Sequence, residues 1–333
     1  MCGDQHCDAW ISLESVGIRA QGCLRSPSWM QEVSVPCYHS VVNPSLYVDL
    51  PYETLTCIRT VAHGTFGFID VAQWKTAEGT KEVYIKRPIQ EGKPLLQEAC
   101  VQHWVADRLG RGGFSHGAPR VLRIFSLRDR SVCFAMEAME GATTWDQFLH
   151  EVPTADLPNV LYEGLLQIGA MLWYIHHVLG MNHRDVKPSN FLMVQHAPVQ
   201  RTFQFDHKRI TMMTRYTMTF IDFGFACIGS PRTQRADLSL SQVFSLFDPC
   251  PKEGRDLYLL LGLLYIDYSE ELGSLRTLFE SWLQERGASL CRMMRKDKES
   301  SKKWLYFIAG HEDIKRFPIT PVRMLQDLQK WVT

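Results

Sequence analysis

The chain has 333 residues, 45% of them hydrophobic, and its 36 basic and 36 acidic side chains balance to a formal net charge of zero. This length allows two domains with sizeable cores, and the balanced charge argues against a dedicated nucleic-acid binder. The longest apolar run, residues 257–266, is shorter than the ~20 residues that a membrane-spanning helix needs. We therefore expect no nucleic-acid partner and no membrane segment, and we expect residues 257–266 to form a buried helix.

Residues 1–45 are mixed in character and predict an amino-terminal extension that is partly ordered at best. They begin without the basic and apolar regions of a secretory leader. The chain has ten cysteines, none in the paired spacing of a zinc site. Their even number allows a disulfide framework, but the size of the chain and the missing leader favour reduced, mostly buried thiols. These features predict a cytoplasmic or nuclear protein that is not secreted.

From residue 52 the pattern consists of short β-like runs, and from about residue 157 it becomes helical. No internal repeat or low-complexity tract interrupts either part. Strands first and helices later predict an α+β fold, in which a β-rich domain, residues 46–140, precedes a helical domain, residues 141–333.

A two-glycine hairpin is predicted at residues 61–69, between β-like stretches at 54–60 and 69–74. Glycines let backbone amides approach phosphate oxygens because no Cβ stands in the way. An ordinary hairpin turn explains the same glycines equally well. The candidate nucleotide-binding residues are Val61, Ala62, Gly64, Thr65, Phe66, Gly67 and Ile69.

The next β-like run ends in Lys86. A lysine on a strand can present a point charge to phosphate groups, whereas an edge-strand lysine that merely keeps the surface soluble is the alternative. An acidic partner decides between these interpretations. The helical pattern at residues 95–109 carries Glu98, which we expect to pair with Lys86; Glu91, in the turn before that helix, is the second candidate.

A predicted helix at residues 157–179 ends at Gly180 and leads into the run HRDVKPSN at residues 183–190, followed downstream by Asp222-Phe223-Gly224. Transfer of a phosphoryl group from ATP needs a base that orients a hydroxyl and oxygen ligands that hold Mg²⁺. Asp and Asn also favour turns, which is the plain structural alternative. The predicted roles are base for Asp185, charge neutralisation for Lys187, and Mg²⁺ ligands for Asn190 and Asp222.

These motifs, in this order and spacing, resemble the eukaryotic protein kinase family from about residue 52 to the carboxyl-terminal region. The resemblance implies a bilobal fold with a small sheet and one helix in the N-lobe, a helical C-lobe, and ATP between them. It implies that Met136 guards the adenine pocket and that backbone groups of Glu137 and Met139 bind the adenine edge, although a plain core strand would use the same residues. Lys187 is typical of the serine/threonine type, and residues 183–193 and 220–224 are similar to the casein kinase 1 and vaccinia-related kinase branch.

Several positions depart from the family pattern. Ala62 replaces the first glycine, Tyr84 replaces an alanine before Lys86, and residues 248–253 stand where the family has Ala-Pro-Glu. Such departures are typical of a fast-diverging kinase, for example one from a large DNA virus acting in its host cell. Asp256 resembles the buried aspartate that braces the catalytic loop of the family.

Two features leave alternatives open. In many kinases the equivalent of Arg184 binds a phosphorylated residue of the activation segment, and we prefer constitutive activity over that mode; the candidate phosphorylation sites are Thr233, Ser239, Ser241 and Ser245. The basic stretch 194–218 predicts a solvated hairpin, with a docking surface for acidic partners as the alternative.

The sequence therefore predicts an ATP- and Mg²⁺-dependent serine/threonine protein kinase acting on protein substrates. The first alternative is a pseudokinase scaffold that keeps the fold without efficient transfer. The second is a small-molecule kinase on a related fold, such as an antibiotic or choline phosphotransferase. The sequence predicts neither the identity of the substrate nor an oligomeric state.

Overall fold

A computed structural model describes most of the chain from residue 55 onward. The described ranges are 55–63, 67–77, 79–89, 95–126, 132–205, 208–230, 232–233, 235–245, 247–283 and 297–331. The predicted extension, residues 1–45, lies outside them, as do Gly64, Thr65, Phe66 and Glu91. Within these ranges helices and sheets are mixed, so the fold class is α+β, as predicted.

The described chain separates into two compact units. The first contains the described residues up to Asp107 together with Pro119–Met139, and the second contains Arg108–Ala118 and the residues from Glu140 onward. The segment 108–118, which the predicted boundary at residue 140 places in the β-rich domain, packs with the second unit: Gly117 O accepts a hydrogen bond from Phe220 N at 2.9 Å.

The first unit is an antiparallel sheet of strands with the order β1-β2-β3-β5-β4 and one long helix, α1. The elements are β1 (Leu55–His63), β2 (Gly67–Thr76), β3 (Gly79–Pro88), α1 (Leu96–Arg111), β4 (Val121–Ser126) and β5 (Val132–Glu137). The predicted hairpin, the helix that carries Glu98 and the strand before the connector are all found in the expected order.

Alternation along β3 determines which side chains meet α1. Val83 and Ile85 are fully buried on one side of the sheet, with Phe125. Tyr84 packs on the other side, in the cluster that contains the α1 residue Ala99. Because side chains alternate with a period of two along a strand, Lys86 shares the side of Tyr84 and points toward α1.

The second unit contains most of the helices and two small sheets. Its helices are α2 (Trp145–Glu151), α3 (Leu157–Trp173), α4 (Arg255–Tyr268), α5 (Lys298–Gly310) and α6 (Pro321–Trp331), and residues 276–283 are also helical. Its strands are β6 (Thr143–Thr144), β7 (Met181–Asn182), β8 (Phe191–Phe205), β9 (Lys208–Phe220), β10 (Cys227–Gly229) and β11 (Ala236–Ser239), ordered β6-β8-β9 and β11-β10-β7.

The two long central helices match the sequence predictions closely. The predicted helix at 157–179 consists of α3 followed by one π-helical turn, Tyr174–Val178, and the chain reverses at Gly180 with φ of 61°. The apolar run 257–266 lies within α4, and all its side chains are buried. The buried-helix interpretation of that run is confirmed.

The hairpin predicted over 194–218 is present as β8–β9, but only one of its faces is solvated. One face is buried, because Gln167 of α3 donates to Tyr216 O at 3.0 Å and accepts from Met218 N at 3.3 Å. Arg201 is partly buried and donates to Thr217 Oγ1 at 2.6 Å. Lys208, Arg209 and Arg215 are exposed, so Arg201 differs from the other described basic residues of the two strands.

The cysteines correct a second prediction. Cys227 and Cys250 form a disulfide, so the expectation of reduced thiols is wrong for this pair. The side chains of Cys100 and Cys133 are buried, as expected, and burial raises the pKa of the Cys100 thiol to about 12. No helix of the described ranges has both the length and the apolar character needed to cross a membrane.

Candidate functional site

In the first unit, Lys86 and Glu98 form a buried ion pair. Lys86 Nζ lies 2.5 Å from Glu98 Oε1, and the two side chains are 7% and 5% exposed. Lys86 lies on β3 and Glu98 lies on α1. The two side chains meet because Lys86 points to the side of the sheet that α1 covers. The pairing agrees with the prediction that Glu98 is the helix partner. Lys86 lies on the central strand β3 and is buried, so it is not the edge-strand lysine of the alternative interpretation, which would keep the surface soluble.

Close packing against β3 explains the glycine at position 67 of the predicted hairpin. A Cβ on Gly67 would lie 2.3 Å from Arg87 O on β3, so only glycine fits this strand pairing. Val61 and Ala62 are exposed on β1, and Ile69 packs against the α1 cluster. Gly67 therefore has a packing role that holds whether or not the hairpin binds phosphate.

The residues at the end of β5 already make contacts with other residues of the first unit. Met136 is buried, and its sulfur lies 3.3 Å from Gln102 Nε2. Glu137 N donates to Arg120 O at 3.0 Å, so the backbone N–H of one predicted adenine contact is already engaged. Met139, the other predicted adenine contact, is partly exposed.

In the second unit, the carboxylate of Asp185 is held at one oxygen. Asn190 Nδ2 donates to Asp185 Oδ2 at 2.8 Å, and Lys187 Nζ lies 2.7 Å from the same oxygen. Asn190 Nδ2 also lies 2.8 Å from Asp185 O. The three predicted residues that share this loop are therefore brought together, and Asp185 Oδ1 faces away from these two contacts.

The other carboxylate oxygen of Asp185 meets a residue that the sequence did not indicate. Tyr306 Oη on α5 lies 3.4 Å from Asp185 Oδ1. Burial and the neighbouring Asp185 carboxylate raise the pKa of Tyr306, so the phenol is neutral and donates its proton to the carboxylate. Tyr306 lies 121 positions from Asp185 along the chain, and no local pattern links the two.

Asn190 and Asp222 present oxygen atoms suited to Mg²⁺. Because Asn190 Nδ2 is engaged by Asp185, the Oδ1 atom of the amide is left as a ligand. Asn190 O accepts from Ile221 N at 3.0 Å, which ties the turn to the residue before Asp222. No cluster of three or more His, Cys, Asp or Glu side chains in the described residues is placed to hold a metal ion. A magnesium site here would thus draw its remaining ligands from phosphates and water.

Two residues next to this site adopt a left-handed backbone conformation. Arg184 has φ of 70° and Asp222 has φ of 63°, and neither is glycine. Such a conformation costs of order 1–3 kcal/mol and persists only where the surroundings impose it. The strain lies beside the candidate base and at the candidate metal ligand, which is where functional strain is usually found.

Asp256, the first acidic residue of α4, fixes the backbone of the loop. Its Oδ2 accepts from His183 N and its Oδ1 from Arg184 N, both at 2.9 Å. His176 Nε2 lies 2.9 Å from Oδ2. Burial alone would raise the pKa of Asp256, but the hydrogen bond from His176 and the attraction of nearby positive charge hold it well below its usual range. The expected brace is present.

Asp248 is the shared partner of three buried cations. Its Oδ2 lies 2.7 Å from Arg184 Nη2 and 2.5 Å from Arg255 Nη1, and its Oδ1 lies 2.7 Å from Lys252 Nζ. All four side chains are at most 1% exposed. Burial and the nearby Arg255 lower the pKa of Arg184 to about 10, against the opposing effect of Asp248.

Sequence reasoning assigned residues 248–253 to the missing Ala-Pro-Glu motif without giving Asp248 a role. Arg184 Nη1 also donates to Ser239 Oγ at 2.7 Å, so one predicted phosphorylation site touches this arginine while unmodified. The one sequence signal for Asp248 was Arg255, which directly precedes Asp256. A buried arginine needs an acidic partner, and Asp248 lies seven positions before it.

The predicted site residues form two sets, one in each unit. Lys86 and Glu98 belong to the first, and Asp185, Lys187 and Asn190 are in mutual contact in the second. No family model matches the chain, and no curated protein matches it. A functional assignment therefore rests on the contacts of these residues.

Proposed function

We propose that the chain is a serine/threonine protein kinase with a bilobal protein-kinase fold, which transfers the γ-phosphoryl group of ATP to protein hydroxyls. The observation that carries the proposal is the arrangement around Asp185. Asn190 and Lys187 both contact Oδ2, so that Oδ1 is oriented to accept the proton of an incoming hydroxyl. The lysine two residues after the aspartate supports a serine or threonine acceptor.

The chemistry needs little more than positioning and electrostatics. Asp185 Oδ1 accepts the proton as the acceptor oxygen bonds to the phosphorus of the γ-phosphoryl group and ADP leaves. Lys187, which lies 2.7 Å from Asp185, neutralises charge on the transferring group. Lys86, fixed by Glu98, supplies positive charge to the other phosphates. Mg²⁺ held by Asn190 and Asp222 would neutralise the phosphate oxygens and orient them.

The test is transfer of labelled γ-phosphate from MgATP by the full chain to casein and to a basic protein. We compare wild type with Asp185→Asn and with Asp313→Asn, a matched change of a carboxylate that is 86% exposed. Removing a base typically costs about 10²- to 10⁴-fold in rate. We expect that loss for Asp185→Asn, none for Asp313→Asn, and label on serine or threonine.

Binding of ATP, measured separately by equilibrium dialysis, separates the alternatives. ATP binding without transfer by wild type would contradict the enzyme proposal and favour a pseudokinase scaffold. Label on a small alcohol such as choline, with none on either protein, would favour the small-molecule kinase.

A further inference from the structure

The disulfide between Cys227 and Cys250 lies beside β7, the strand that leads into the candidate site. Cys227 is on β10, where it pairs with Asn182 of β7. The side chain of Asn182 accepts from Lys252 N at 2.5 Å and donates to Lys252 O at 3.2 Å. The segment 248–252 is therefore attached to β7 and β10 in two ways, by the disulfide and by the hydrogen bonds of Asn182.

The segment that the disulfide holds carries the partner of Arg184. Asp248 lies two positions before Cys250, and its Oδ2 lies 2.7 Å from Arg184 Nη2. Arg184 directly precedes the candidate base Asp185 and has φ of 70°, a backbone conformation that persists only where the surroundings impose it. Displacement of the segment would remove an ion pair that helps to impose it.

Like-charge repulsion acts on the same segment. Lys252 and two arginines, Arg184 and Arg255, share the carboxylate of Asp248, and all four side chains are buried. Burial and the nearby Arg255 lower the pKa of Lys252 to about 8, so a positive charge is disfavoured at this position. The covalent bond at Cys250, two positions from both Asp248 and Lys252, holds the segment against this repulsion.

Both cysteines of the disulfide are shielded from solvent. Cys227 and Cys250 are 0% exposed, and a Cβ on Gly229 of β10 would lie 2.2 Å from Cys250 O. Thiol–disulfide exchange needs a thiolate that reaches one of the sulfurs. Reduction therefore requires the segment 248–252 to move away from β10, which is the movement that releases Asp248 from Arg184.

We propose that the Cys227–Cys250 disulfide is a redox switch of the candidate site. The oxidised chain holds Arg184 beside the candidate base, and reduction by a dithiol releases the segment 248–252 and lowers the rate of transfer. This inference rests on the proposed kinase function.

The exchange reaction has two steps in each direction. One thiolate of the dithiol bonds to a sulfur of the chain and breaks its S–S bond. The second thiol of the reagent then displaces that sulfur, so the dithiol loses two electrons and leaves as a disulfide, and both cysteines become thiols. Oxidised glutathione, a small disulfide, reverses the reaction and leaves as two thiols.

The experiment measures labelling of casein by the full chain before and after treatment with dithiothreitol, which is removed before the assay. Alkylation and peptide mass spectrometry verify that Cys227 and Cys250 have become thiols, and circular dichroism verifies that the chain is still folded. We expect kcat to fall about 10- to 100-fold, because misplacement of reacting groups by 1 Å can cost about 10²-fold. Oxidised glutathione should restore the rate.

The double variant Cys227→Ala/Cys250→Ala should have the activity of reduced wild type and should not respond to dithiothreitol. Cys100→Ala, which removes a buried thiol from α1, should respond as wild type does. Equal rates for oxidised and reduced wild type would overturn the proposal, as would a response of the double variant to dithiothreitol. Failure of the two reagents to interconvert the two forms of the folded chain would also overturn it.

If oxidised wild type labels no casein, the proposed kinase function fails, and hydrogen exchange still tests the switch. The amides of His183 and Arg184 donate to Asp256 in the oxidised chain. On reduction we expect these amides and those of 248–252 to exchange about 10-fold faster or more, because a disulfide typically stabilises by more than that factor. Unchanged exchange in both segments would overturn the switch.

Discussion

Arg184 and Asp248 form a buried ion pair across 64 positions of the chain, with Nη2 of the arginine 2.7 Å from Oδ2 of the aspartate. Arg184 immediately precedes the candidate base Asp185. Arg184 therefore pairs with a carboxylate of the same chain, which Lys252 and Arg255 share, in a place where a phosphate is the partner in many kinases of the family the chain resembles.

We expect activity to be independent of phosphorylation, because Asp248 and Ser239 already bind the Arg184 guanidinium in the unmodified chain. Exhaustive phosphatase treatment, verified by intact mass, should leave the rate of peptide phosphorylation unchanged. A several-fold loss that MgATP restores after the phosphatase is removed would contradict this expectation.

Asp248→Asn should destabilise the fold by about 3–5 kcal/mol, the usual effect of leaving buried charges without their partner. Three cationic side chains, those of Arg184, Lys252 and Arg255, would lose their shared carboxylate. Urea denaturation followed by circular dichroism measures the free energy of unfolding, with Asp313→Asn as the control. A loss below about 1 kcal/mol, the scale of exposed pairs, would show that the cluster contributes little.

Stability should depend on pH through Lys252. Burial and the nearby Arg255 lower the pKa of Lys252 to about 8, whereas its ordinary value is 10.5. Between these values the unfolded chain binds more protons than the folded chain, so the free energy of unfolding rises with pH. Relative to Lys252→Met, the wild type should gain roughly 2–4 kcal/mol from pH 8 to 10.5. Parallel denaturation curves for the two proteins over this range would contradict the buried, shifted lysine.

Tyr306→Phe should raise kcat/KM for a peptide acceptor by about 2- to 10-fold, the worth of a single hydrogen bond. The phenol hydroxyl competes with the acceptor hydroxyl for Asp185 Oδ1, while Asn190 and Lys187 hold Oδ2 without its help. Steady-state kinetics on Tyr306→Phe and on Tyr162→Phe, a tyrosine of α3 whose ring packs against Trp331 of α6, check this. A decrease in kcat with KM unchanged would show instead that Tyr306 positions the carboxylate.

Gly254→Ala should be strongly destabilising, because Gly254 has φ of 73° and an added Cβ would lie 2.1 Å from Ile319 O. Gly113→Ala is the matched control: its φ of 91° is also positive, but nothing lies within 4 Å of the added atom. We expect about 1–2 kcal/mol for the control, from the backbone alone, and clearly more for Gly254→Ala. Equal melting temperatures for the two variants would show that the backbone near Ile319 can adjust.

Local patterns were sufficient to predict many elements. The apolar run of α4, the glycine stop after α3 and the pairing of Lys86 with Glu98 follow from periodicities and spacings within a few turns of chain. The same holds for Asp185 and Asn190, which lie five positions apart and share a turn.

Contacts between distant segments were not predictable in this way. Asp248, Lys252 and Arg255 lie near Arg184 only because α4 and the loop before it pack against the loop that contains Asp185. Tyr306 reaches Asp185 because α5 crosses α4 where Gly262 has no side chain. A solvated hairpin was predicted for β8–β9 because its sequence does not reveal that α3 covers one of its faces.

The disulfide between Cys227 and Cys250, 23 positions apart, closes the chain after the Asp222 loop into a covalent ring. A protease that cuts inside the ring, for example beside the exposed Phe247, leaves two polypeptides joined through sulfur. The nicked protein would then migrate as one species on a denaturing gel and separate into two fragments only when a reductant is added.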